Sequence, residues 1–178
     1  CRLTEFTLEG ISNIQGDFQC KDYFYVKEFV MPFIRVAGDM TIALNSGSVN
    51  TAAEIEFPKL QEIGGTLTLG TNRNANNITF PLLKKILGSC SVTTYKLKND
   101  IEFTNLESIG TDGADAQIKF EIEATNILCP KLKTINGKFD IATSSFMFDM
   151  EVDKVSYPNV ESISENLSIT CPYSDFGS

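Results

Sequence analysis

Asp149, Glu151 and Asp153 alternate along one short stretch, and Asp112 and Asp115 bracket a Gly-Ala pair. In an extended segment period-2 spacing puts all three members of the first group on one face. Carboxylates so placed can hold Ca²⁺ through oxygen, or work as an acid/base pair on a glycosidic bond. The commoner state of such groups is a solvated loop. Histidine is absent from the 178 residues, which removes the commonest general base and every Ser-His or Cys-His nucleophile pair. The five cysteines are too dispersed for a zinc cluster, and no glycine loop precedes a helix to cradle phosphate. The chain is therefore expected to be non-catalytic, with no cofactor and no metal.

The acidic trio adjoins Phe146-Met147-Phe148, and aromatics in a long connection can anchor a protein partner. Phe146, Phe148, Asp149, Glu151 and Asp153 are the candidate binding residues; folding back to cap the core is the equal alternative. Tyr23-Phe24-Tyr25, in the first coil, reads better as a cap. Tryptophan is absent, so a protein-contact surface suits this chain better than a sugar-stacking platform, although carbohydrate stays open. A net charge of −8 with scattered acidic residues excludes a phosphate-neutralising nucleic-acid surface.

The residues that must position these groups come as a repeat. The phrase Phe57-Pro58-Lys59-Leu60-Gln61-Glu62-Ile63-Gly64-Gly65 returns as Cys129-Pro130-Lys131-Leu132-Lys133-Thr134-Ile135-Asn136-Gly137. Copies open at Leu8, Met31, Phe57, Phe80, Phe103, Cys129 and Tyr157, at intervals of 23, 26, 23, 23, 26 and 28 residues. Periods of this size mark stacked units. Five of the six prolines hold the second position of a copy, where a strand ends and the coil turns. One apolar column runs Ile11, Ile34, Leu60, Leu83, Leu106, Leu132, Val160. A second runs Ile14, Ile63, Ile86, Ile109, Ile135, Ile163, and Val36 joins it if the second copy is one residue short. Glycines follow at 16, 38, 65, 88 and 137. Short alternating stretches such as Ile78-Thr79-Phe80 and Leu67-Thr68-Leu69 read as half-buried strands.

The reading is an all-β, right-handed β-solenoid of about seven coils. Each coil has two short strands and two corner columns, in a single domain over 1–178 with a tail at 172–178. Connections at Asn45–Ala53, Thr111–Gln117 and Thr143–Lys154 break the rhythm, and such insertions commonly form a binding face. Cys20 and Cys90 fall on inward positions three coils apart, about 14 Å, beyond disulfide reach. Cys20, Cys90 and Cys129 are read as small buried hydrophobes, with Cys1–Cys20 the least implausible pair.

Laid out in columns, Phe-Pro-x-Leu-x-x-Ile-x-Gly-x-Leu-x-Ile resembles the receptor L domain, a leucine-rich-repeat-like β-solenoid. It is similar also to fungal cell-wall glycoproteins and to leucine-rich surface proteins of gut Bacteroidetes. The resemblance covers residues 3–171 and implies a non-catalytic, extracytoplasmic binding or scaffolding role. Composition rich in Asn, Ile and Lys without tryptophan or histidine favours the Bacteroidetes character. A start at Cys1 then implies a lipid-anchored outer-membrane protein, partnered in a nutrient-uptake assembly. A eukaryotic glycoprotein, with sequons at Asn77 and Asn166, and a solenoid enzyme on acidic polysaccharide are the alternatives.

Overall fold

A computed structural model describes residues 5–7, 9–22, 28–45, 53–72, 75–95, 101–111, 116–122, 127–143 and 157–170. Every element among them is a strand, and every strand pairing is parallel. The chain visits three sheets in turn and returns one rung higher, which makes it a β-solenoid.

The first sheet stacks six strands: Glu5–Thr7, Glu28–Val30, Ala53–Glu56, Ala75–Thr79, Ile101–Glu102 and Ile127–Leu128. The second stacks seven two-residue strands: Asn13–Ile14, Arg35–Val36, Glu62–Ile63, Lys85–Ile86, Ser108–Ile109, Thr134–Ile135 and Ser162–Ile163. The third, with the longest strands, also has seven: Phe18–Asp22, Met40–Asn45, Leu67–Asn72, Cys90–Tyr95, Ala116–Ile122, Gly137–Thr143 and Leu167–Thr170. The expectation of two strands per coil is corrected to three. The isoleucine column taken for a corner is itself a strand, because a polar residue before each isoleucine completes a two-residue ladder.

Alternation decides which side chains enter the core. Ile55, Ile78 and Ile101 point inward from the first sheet. Val36, Ile63, Ile86, Ile109 and Ile135 do so from the second, and Met40, Leu67, Cys90, Ile118 and Phe139 from the third; all are buried. Each such residue lies on register with its counterparts above and below, so its methyl groups pack between coils that have the same shape.

The second copy is one residue short. Val36 pairs in register with Ile14 and Ile63, as the shorter spacing requires. The deletion also moves the neighbouring column: Phe33 is buried, while Ile34 is 37% exposed, which corrects the assignment of Ile34 to the core. Phe33 thereby joins an aromatic column. Its ring lies 5.0 Å from Phe18 and 6.0 Å from Phe57, and the stacked pairs Phe57–Phe80 and Phe80–Phe103 follow at 4.9 and 5.0 Å. Cys129 interrupts the column, and Phe139 then meets Tyr157 edge-on at 5.4 Å.

The recurring proline sits in a tight turn. Leu60, Leu83, Leu132 and Val160 each donate a backbone N–H to the carbonyl of the coil-opening residue three earlier, at 3.2–3.4 Å. Proline at the second residue of such a turn presets φ and costs the ladder no donor. The glycine column has a different cause. Gly38 N–H donates to Gly16, Gly65 to Gly38 and Gly88 to Gly65, at 2.9–3.0 Å, so the backbones pass close together. A Cβ at Gly88 would sit 2.7 Å from the Gly65 carbonyl carbon.

Candidate functional site

The residues chosen from sequence as binding candidates, Phe146, Phe148, Asp149, Glu151 and Asp153, lie outside the described residues, as do Cys1, Asp112, Asp115 and Tyr23–Tyr25. What the structure does present is the solvent side of the three sheets and the corners between them.

On the third sheet the outward positions run in register through Gln19, Thr41, Thr68, Ser91, Lys119, Asp140 and Ser168. Three consecutive rungs there carry only small residues at their first two outward positions: Thr41 and Ala43, Thr68 and Gly70, Ser91 and Thr93. On the second sheet the outward column is Asn13, Arg35, Glu62, Lys85, Ser108, Thr134 and Ser162. Arg35 Nε donates to Glu62 Oε1 at 2.8 Å between adjacent coils. Lys133–Glu161 and Lys138–Glu165 make looser pairs at 3.9 and 3.8 Å. Exposed pairs of this kind add little stability and mainly fix which side chains line the face.

A polar ladder at the corner before the third sheet was not anticipated from sequence. Asp17 Oδ1 accepts the Asp39 N–H at 2.8 Å, Asp39 Oδ1 accepts the Thr66 N–H at 2.7 Å, and Ser89 Oγ accepts the Gln117 N–H at 3.0 Å. The signal was in the chain: Asp17, Asp39, Thr66 and Ser89 each stand three residues after the second-column residue of their coil. Short oxygen-bearing side chains at a turn satisfy backbone donors that the corner leaves unpaired. At the opposite corner Asn105 and Asn159 donate to the carbonyls of Pro81 and Pro130, one coil below each. These side chains hold coils together and are not chemically idle groups awaiting a substrate.

The thiols fit the same picture. Cys20, Cys90 and Cys129 are free; Cys90 and Cys129 are buried and Cys20 is half-buried. Burial pushes the Cys90 thiol up to about 12 and the Cys20 thiol up to about 11. Cys129 is raised well above its ordinary range by burial and then by the neighbouring Cys90. Burial, with smaller contributions from Cys129 and Cys90, also raises the Tyr157 phenol. A thiol kept protonated in an apolar core is a poor nucleophile and a poor metal ligand. Among the described residues no group of three or more His, Cys, Asp or Glu side chains is placed to hold a metal ion. No helix among them is long and apolar enough to cross a membrane.

Compared with family models, with curated proteins and with solved structures, the chain matches none.

Proposed function

We propose that this protein is a non-catalytic binding or accessory protein of the cell surface, built on a leucine-rich-repeat-like, receptor-L-domain-like right-handed solenoid of seven coils. The coil count is supported by the seven rungs of the second and third sheets. The observation that carries the functional reading is how the polar side chains are used. Two of the three described thiols are buried and Cys20 is half-buried, and the oxygen-bearing corner side chains bond backbone donors of the adjacent coil. What remains for the outside is a set of flat, register-locked columns, a surface suited to contact. Within this reading the protein is anchored by lipid on Cys1 in an outer membrane, beside the protein subunits of a nutrient-uptake assembly. Phe146, Phe148, Asp149, Glu151 and Asp153 make the contact.

The eukaryotic glycoprotein reading has one observation in its favour. Asn166 of the Asn166-Leu167-Ser168 sequon is exposed, as a glycan acceptor must be. Peptide mass spectrometry of the protein from its native source separates the two. A diacyl or triacyl adduct on Cys1 with Asn166 bare supports the lipoprotein. Hexosamine on Asn166 with Cys1 unmodified contradicts it. For the contact itself, Phe146→Ala with Phe148→Ala is expected to abolish co-purification of the partner subunits. Retention at wild-type yield would remove those residues from the interface.

A further inference from the structure

The last described coil exposes the face that the coils between the two ends bury. Leu167 and Ile169 take the register positions of Phe139 and Ile141, which are 2% and 3% exposed, yet they are 54% and 63% exposed themselves. Ile163 and Val160 beside them are only half-buried. The first coil is the only other described rung with one neighbour in the second and third sheets, and Ile11 there is 38% exposed with Ile14, Phe18 and Cys20 half-buried.

The two ends match in spacing. Val160, Ile163, Leu167 and Ile169 stand at the same intervals as Ile11, Ile14, Phe18 and Cys20, with no insertion in either coil. They also match in hydrogen-bonding sense. At the second-sheet corner each coil donates to the one before it: Ala37 to Ile14, Gly64 to Val36, Leu87 to Ile63, Gly110 to Ile86, Asn136 to Ile109 and Ser164 to Ile135. The last coil therefore ends on the Ile163 carbonyl, and the first begins on the Gln15 N–H. Entering the third sheet the sense reverses: Phe18 donates to Asp39, Met40 to Thr66, Leu67 to Ser89 and Phe139 to Asn166. That leaves the Leu167 N–H at one end and the Asp17 carbonyl at the other.

We propose that the open end formed by Val160, Ile163, Leu167 and Ile169 seats the first coil of a second copy of this chain, head to tail, continuing the three-dimensional register of the solenoid. The interface is the coil-to-coil contact already repeated along the molecule, so its occupant is defined by column spacing and ladder sense. A heterologous contact of this kind does not close and adds copies without limit. The chain carries a net charge of −8, so repulsion between copies opposes the contact and salt promotes it. At about 1 M salt the screening length falls to about 3 Å and the apolar contact prevails.

The test is sedimentation velocity over a concentration series at low and at high salt. Wild type is expected to grow past the dimer at high salt. Ile169→Glu and Ile11→Glu, both at positions already exposed, are each expected to remain monomeric, yet to form a 1:1 dimer when mixed. Leu167→Glu and Gln15→Pro repeat the two halves of the experiment should either first variant lose its strand signal in circular dichroism. A wild type that stays monomeric at every salt and concentration overturns the proposal. So does an Ile11→Glu variant that dimerises alone and stops there, since that result assigns the interface to two copies of the same end.

Discussion

Glycine shows how one residue type serves two purposes in this stack. Gly110 has φ of +80°, a backbone region that L side chains seldom enter, whereas Gly88 is required by the backbone of the coil below. Gly88→Ala is expected to cost about 1–3 kcal/mol in urea unfolding, because the added methyl meets backbone that cannot step aside. Gly70→Ala, where nothing lies within 4 Å of the new Cβ, is expected to be neutral or stabilising by about 0.5–1 kcal/mol. Equal losses at both positions would refute the close approach at the corner. The buried thiols give a second residue-level expectation. Between the unfolded thiol value of 9.0 and the folded value of about 12 for Cys90, the unfolded chain releases a proton that the folded chain keeps. Folding then takes up protons, so stability is complete below pH 9 and falls as the pH rises from there towards 12. Unfolding midpoints at pH 8 and pH 10.5 measure this, and Cys90→Val is expected to lessen the fall. A midpoint unchanged over that range would contradict burial of the thiols.

Columns rather than residues are the units that stabilise each element. A two-residue strand such as Lys85–Ile86 has no stability of its own; it persists because Ile86 packs between Ile63 and Ile109 on register. Leu83→Ala or Ile86→Ala is therefore expected to cost about 2–5 kcal/mol, read from chemical denaturation. Little change at both would remove them from the core. Much of this was legible in the sequence, because a repeat samples the same environment many times: Leu60, Leu83, Leu106 and Leu132 mark one column together more firmly than any one of them could alone. The exceptions were also local. Ile34 reads as a core residue until the missing residue of its copy is counted, after which Phe33 takes the position and Ile34 faces solvent. The second-sheet strands were taken for corners because two residues are too few to show alternation. The Asp17–Asp39–Thr66 ladder was overlooked because mixed residue types conceal a shared role, that of accepting a backbone N–H.

Across the whole molecule, function and fold draw on different parts of the chain. The repeated residues face inward or bond the next coil, so they describe the scaffold and carry no information about a ligand. The candidate contact residues Phe146, Phe148, Asp149, Glu151 and Asp153 belong to a connection that interrupts the period, where no repeated context exists to read them against. The same separation explains the end of the stack. Leu167 and Ile169 read from sequence as ordinary inward residues, and only the count of rungs reveals that nothing among the described residues covers them.

The parallel, in-register stack underlies each of these statements, and paired cysteines on the solvent side of the second sheet test it most directly. Glu62 pairs in register with Lys85 in the next coil, whereas Arg35 and Lys85 are separated by two coils. Adjacent strands lie about 4.8 Å apart and alternate ones about 9.6 Å, on either side of the limit for a disulfide. Mild oxidation of Glu62→Cys with Lys85→Cys, mapped by peptide mass spectrometry, is predicted to join the two positions within one chain, while Arg35→Cys with Lys85→Cys stays reduced. The reverse pattern, or neither pair closing, would contradict the stack.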